Sequence, residues 1–186
     1  MIYPITLYGD PVLRQVAEPV ELNTKDLNEF IENMFETMKN ADGVGLAAPQ
    51  VGKAWRVFVA DATGYADKEP ELANFRRAFI NPEILERSEE VCVMNEGCLS
   101  IPDIHEDITR PAIIKIKYYD ENMVEHTDVF GGFAARVIQH EYDHLDGILH
   151  IDDLSVLKRR MLKGKLSAIS KGKIDTSYHV QVPGKK

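Results

Sequence analysis

The run His140-Glu141-Tyr142-Asp143-His144 constrains this chain more than any other feature. Two histidines four residues apart reach one ion only when the segment is helical, because positions i and i+4 stack on one face. Glu141 is then rotated by about 100°, where it can address a water on that ion. The pattern predicts a helix over roughly Phe133 to Leu145, entered through Gly131-Gly132 and stopped by Gly147. Phe133 and Val137 fall in line with His140 and His144, so an apolar wall would run up to the histidines.

The other elements are shorter or more ordinary. Leu27, Phe30, Ile31, Met34, Phe35 and Met38 recur at helical spacing and predict a helix from Asn23 to Asn40, with Asn23 as its cap and Gly43 as its stop. Trp55 to Ala60 reads as a strand, as do the segments around Ala78-Phe79-Ile80 and Val91 to Met94. Asp61 to Arg77, with Gly64 and Pro70, reads as an exposed excursion without assignable chemistry. Ala112 to Tyr119 alternates with a period of two, and Asp120-Glu121-Asn122 turns it into Val124 to Val129, a hairpin. A last helical stretch runs from about Asp153 to Ser170. Clustered strands with few helices predict an α+β fold, antiparallel sheets around the central helix that carries the histidines, with a C-terminal helix.

Length and charge exclude several classes. The 186 residues suit a single domain spanning 1–186, and no apolar run approaches the ~20 residues of a membrane span. Met1 to Thr6 carries neither a signal core nor a transit pattern, so a bacterial cytoplasmic location is expected. Cys92 and Cys98 read as separate thiols, Cys92 as a small packed hydrophobe. The net charge of −8 argues against a general nucleic-acid binder. From about residue 155 the balance reverses: Lys158, Arg159, Arg160, Lys163, Lys165, Lys171, Lys173, Lys185 and Lys186 face only Asp175. That segment reads first as a solvated helix face with a frayed end, and alternatively as a surface for a polyanion such as ribosomal RNA.

A catalytic metal site needs a third protein ligand and an open position. His150 is one candidate, since His140 to His150 spells HExxHxxGxxH, the pattern of the metzincin proteases. Cys98, a soft thiolate donor in Glu96-Gly97-Cys98-Leu99-Ser100, is the other. Either set accepts several divalent transition metals. His105, His126 and His179 show no ligand spacing and read as solvated, and Arg110 is the expected ion-pair partner of Asp143.

Three segments, Gly43-Val44-Gly45-Leu46-Ala47-Ala48-Pro49-Gln50, Glu96 to Ser100 and Gln139 to Gly147, resemble in order and spacing the three signature motifs of the peptide deformylases. The opening Leu7 to Arg14 is similar too, so the likeness spans nearly the whole chain. The resemblance implies that Cys98, His140 and His144 bind the metal, that Glu141 is general base and acid, and that Gln50 with the Leu99 backbone N–H stabilises the oxyanion. It implies that Gly45 offers its backbone to substrate, and a methionine side chain would fill an apolar pocket of Val44, Phe133 and Val137. Fe2+ is the metal it favours, with Zn2+, Ni2+ or Co2+ as substitutes, and N-formylmethionyl nascent peptides are the implied partners. The metzincin reading also lacks its methionine turn, because Met161, the one methionine after His150, falls within the last helix. A zinc-stabilised binding module, which needs a closed four-ligand site, is the non-enzymatic alternative.

Overall fold

The computed structural model describes residues 1–184, so Lys185 and Lys186 of the basic tail lie outside the described residues. In chain order the elements are β1 (Ile5–Thr6), α1 (Leu27–Asn40), β2 (Gly45–Ala47), β3 (Val57–Asp61), β4 (Arg76–Arg87), β5 (Val91–Cys98), β6 (Ile101–Pro111), β7 (Ile114–Tyr119), β8 (Glu125–Phe130), α2 (Gly132–Leu145), α3 (Val156–Ser170) and β9 (Val180–Gln181). One antiparallel sheet runs in the order β2-β3-β4-β7-β8, β5 and β6 form a separate hairpin, and β1 pairs with β9 in parallel. This is the α+β arrangement expected from the sequence, with α2 among the sheets and α3 near the C-terminal end.

Strand β3 shows why the sequence folds this way. Its residues 57–60 are fully buried, which a strand achieves only when both faces of its sheet are covered. Phe58 and Ala60 join Val137 and Ile138 of α2 in one core cluster. Val57 and Val59 join Ile31 and Met34 of α1 in another, on the opposite face. A third cluster places Ile101, Ile104 and Ile108 of β6 against Leu166 and Ile169 of α3. Helix α2 is therefore enclosed, and ten of its residues, Ala134 to Glu141 with His144 and Leu145, are buried.

Several boundaries differ from the sequence reading, for local reasons. Helix α1 starts at Leu27, not Asn23, because Asp26 sits in the left-handed region at φ 65° and blocks helix upstream. At its other end Asp42, not Gly43, takes the left-handed turn (φ 56°), while the Gly43 N–H closes back on the Met38 carbonyl at 2.9 Å. Helix α3 begins at Val156, capped by the Ser155 hydroxyl. The long strand β6 is not legible in the sequence: Asp103 at φ 62° puts Ile101 out of phase with Ile104, and the buried face that follows, Ile104, Ile108 and Arg110, is diluted by charged residues. Nor does the described part of the tail fray, since it returns to pair β9 with β1. Among the described residues no helix is long and apolar enough to cross a membrane.

Gly147 ends α2 at φ 72°, and a Cβ there would lie 2.7 Å from the Arg14 carbonyl oxygen. Gly164, inside α3, has open space around it. Alanine at the two positions should therefore act with opposite signs. Gly147→Ala is expected to lower the unfolding free energy by roughly 1–3 kcal/mol, through strain and backbone clash. Gly164→Ala should raise it by about 0.5–1 kcal/mol. Urea unfolding midpoints decide this, and equal effects at both sites would contradict the turn assignment.

Candidate active site

The end of β5 and one face of α2 converge on a single point. Ligand atoms of Cys98, His140 and His144 all lie within 4.8 Å of one another, with Cys98 Sγ 3.4 Å from His144 Nε2. The Nδ1 of His140 meets Glu96 Oε2 at 2.8 Å, which leaves its Nε2 to face a metal. A thiolate with two imidazoles suits a divalent transition metal, and three protein donors leave a position for water. Among the described residues Glu141 Oε2 is buried without a hydrogen-bond partner, as expected of a carboxylate oxygen that such a water would satisfy. The residues present therefore fit a catalytic metal site. His150 is also buried, its ring 5.6 Å from that of His140, but it does not belong to the cluster of ligand atoms.

Behind the donors lies a charge network that the sequence reading largely missed. Glu96 Oε1 accepts from Arg110 Nε and Arg136 Nη1, each at 2.6 Å, and Oε2 accepts from Arg110 Nη2 at 3.0 Å as well as meeting His140. Burial alone would raise the Glu96 carboxyl, but hydrogen bonds from His140 and Arg110 outweigh it and hold the group well below the usual carboxylate range. Arg110 Nη1 also reaches Asp143 at 2.6 Å, the ion pair expected from the sequence. Arg136 ties the network to β5 and β6 through the Cys92 and Ile108 carbonyls, and its Nη2 lies 3.3 Å from Cys92 Sγ. Cys92 is thus half-buried, with its sulfur beside a guanidinium.

The front of the site is a cavity of about 580 Å³. Val44, Phe133 and Val137 line it together with Gly45, Gln50 and Leu99, whereas His144 sits behind, 1% exposed. Burial pushes the Glu141 carboxyl up to about 7, against the pull of His140. A Cβ on Gly45 would come within 2.8 Å of the Glu141 Cγ and Cδ, so only glycine lets this backbone pass so close to the carboxylate. Gln50 follows in a short 3₁₀ turn (Ala48–Val51). Its Oε1 accepts from the Ala47 N–H at 2.8 Å, which aims Nε2 at Ser100 Oγ (3.2 Å) and Cys98 Sγ (3.6 Å).

Segment 61–77 is more than the exposed excursion the sequence suggested. Leu72 and Phe75 enter the core. Tyr65 packs on Phe133 with ring centroids 4.4 Å apart, and Glu69 accepts from the Phe133 N–H at 3.1 Å, capping α2. Pro70 and the two short 3₁₀ turns hid this from periodicity. Of the other histidines, His179 is exposed, His126 meets Asp120 at 2.8 Å, and exposed His105 lies over Gly97 at the cavity rim.

A helix-borne HExxH pair joined by a cysteine sulfur, opening on a partly apolar cavity, defines a metal-dependent hydrolase. Residues 2–160 match the sequence model of the polypeptide deformylase family. A peptide deformylase from Cytophaga hutchinsonii is 50% identical over the full length of both chains, and one from Christiangramia forsetii is 50% identical over 100% of this chain and 98% of its own. The crystal structure of the Thermus thermophilus enzyme superposes with a TM-score of 0.81 at 40% identity, covering 93% of this chain and 100% of that one. For the Thermotoga maritima enzyme the TM-score is 0.75 at 47% identity, over 83% and 99%. The chain belongs to the polypeptide deformylase family, the metal-dependent hydrolases that remove the formyl group from the N-terminal methionine of newly made proteins.

Removing the Glu96 carboxylate would strand two buried guanidinium groups and release the His140 ring. Glu96→Ala is therefore expected to weaken metal binding by roughly 10- to 100-fold, read by competition with a chelator. Unchanged affinity would show that His140 needs no such support.

Proposed function

We propose that Cys98, His140 and His144 hold one divalent metal ion, Fe2+ in the cell with Zn2+, Ni2+ or Co2+ as substitutes, in one catalytic domain spanning 1–186. The observation that carries this reading is the cluster of three soft and borderline donors beside the unpartnered, buried oxygen of Glu141. When bound, the ion supplies Lewis acidity and acidifies water at its open position.

Glu141 takes a proton from the water that attacks the formyl carbon and delivers it to the departing amine, so formate and a free N-terminal methionine leave. Burial raises the Glu141 carboxyl, so it holds a proton more readily than an exposed one, which suits both halves of that exchange. Gln50 Nε2, held in direction by the Ala47 N–H, and the Leu99 N–H share the oxyanion, each such donor being worth roughly 3–4 kcal/mol of barrier. Val44, Phe133 and Val137 receive the methionine side chain of an N-formylmethionyl nascent peptide, and Gly45 lays its backbone beside the substrate.

Such substrates arise where proteins are made, and the relatives named above are bacterial, which supports a bacterial cytoplasmic location. Exposed Arg159, Arg160 and Lys163, neighbours on one face of α3, support docking of that face on ribosomal RNA.

Glu141→Gln should retain the metal and the fold yet lose nearly all formate release, because an amide cannot accept the proton. Near-normal turnover with unchanged metal content would remove the assigned role.

The third ligand is tested separately. Cys98→Ala is expected to lose metal and activity together, since two imidazoles alone hold a divalent ion poorly. His150→Ala should keep both. The reverse pattern, measured by metal analysis beside formate release from a formyl-Met peptide, would make this a three-histidine site.

A further inference from the structure

We propose that Tyr178, in the C-terminal segment beyond residues 2–160 that match the family, is a positioning residue for the deformylation reaction: its hydroxyl holds the Leu99 carbonyl and thereby aims the Leu99 N–H at the oxyanion. The inference rests on the reading of the Leu99 N–H as an oxyanion donor.

Leu99 and Ser100 form the turn between β5 and β6, where Cys98 pairs with Ile101. The ladder is irregular at this end, with a register shift between Glu96 and Cys98. Regular strand pairing therefore fixes the turn poorly, although it carries a proposed metal ligand and a proposed oxyanion donor. Three contacts from elsewhere in the chain fix it instead. The Tyr178 hydroxyl donates to the Leu99 carbonyl at 2.8 Å, the Tyr8 N–H donates to the Ser100 carbonyl at 2.8 Å, and Gln50 Nε2 donates to Ser100 Oγ at 3.2 Å.

Two of these anchors are coupled through the parallel pair β1 and β9. The Ile5 N–H donates to the His179 carbonyl at 2.9 Å and the Leu7 N–H to the Gln181 carbonyl at 3.0 Å, which seats the residues before β9 and after β1 on either side of the turn. The Thr176 hydroxyl bonds the Tyr178 carbonyl at 2.9 Å and stiffens the approach. Burial pushes the Tyr178 phenol up to about 12, so the hydroxyl keeps its proton at neutral pH. Residues 175–178 also line the cavity, which puts the tail against the site itself. Without the phenolic hydroxyl the Leu99 carbonyl is released while Ser100 stays anchored, so the backbone at Leu99 gains play and its N–H loses part of its aim. Small misplacements of a catalytic donor cost rate steeply.

The experiment uses the full-length, metal-loaded enzyme and a formyl-Met peptide. Tyr178→Phe keeps the ring and its packing while deleting the donor. It is expected to lower kcat by about tenfold, with KM within about twofold, and metal content and unfolding midpoint retained. In parallel, the Leu99 N–H is replaced by an ester oxygen through incorporation of the α-hydroxy analogue of leucine, which should lower kcat by about two orders of magnitude. With both changes together the tyrosine effect should vanish, because no N–H is left to aim. An ester without effect on kcat sinks the oxyanion reading and the inference with it. A slow ester beside a Tyr178→Phe enzyme of normal kcat overturns the inference alone. Additive losses, or a change confined to KM or metal content, also overturn it by assigning the tyrosine to the fold, the substrate or the metal.

Discussion

The carboxylate of Glu96 is where the structure's separate parts are tied together. It is 6% exposed and engages Arg110 from β6, and Arg136 and His140 from α2, while itself belonging to β5. A charge in such a place is costly unless every lone pair is used, and breaking one partner of a buried pair typically costs about 3–5 kcal/mol. With Asp143 added, two acids face two guanidinium groups, and the contacts of Glu96 with Arg136 and His140 and of Arg110 with Asp143 form only when the β5–β6 hairpin lies against α2. That docking is what carries Cys98 to the histidines. Among the described residues the hairpin makes no strand pairing with the five-stranded sheet, and the charge network supplies a directional link that apolar packing alone does not.

The rigid wall opposite comes from packing. Because β3 is buried on both faces, its neighbour β2 is fixed as an edge strand that approaches α2, and Gly45 meets Glu141 at a distance no larger residue permits. The edge strand flows directly into the turn that carries Gln50. One side of the site is thus set by dispersion and burial, the other by charge, and the donors lie where the two meet.

Much of this was legible in the sequence, and the limits have physical causes. The HExxH helix, the β7–β8 hairpin and the apolar face of α1 follow from periodicity, because in each the burial pattern and the local geometry agree. The Cys98 donor could be named only as one of two rivals until the resemblance entered, since chain spacing cannot show which residue a separate hairpin brings near a helix. Glu96 stood inside a recognised motif without a role, and Arg136 was passed over, because a buried guanidinium is indistinguishable in sequence from a solvated one. Strand β6 was lost to a left-handed Asp103, and the contributions of Tyr65, Glu69 and Tyr178 were lost to segments whose polar composition reads as surface.

On the proposed ligand set, a thiolate donor accounts for why so much structure gathers around Gln50 and the Leu99–Ser100 turn. A thiolate leaves less positive charge on a bound ion than a third neutral imidazole would, so more of the transition-state charge falls to fixed protein dipoles. Such dipoles help only when they are already in place before the reaction. Gln50 has no freedom to turn, because its carbonyl end is taken by Ala47 and its amide end lies between Ser100 and Cys98. The Leu99–Ser100 turn is held by residues that approach from opposite ends of the chain. Closure by segments so far apart in sequence costs chain entropy, so the preorganisation of this turn depends on the Tyr8 and Tyr178 segments being seated together through the pairing of β1 with β9.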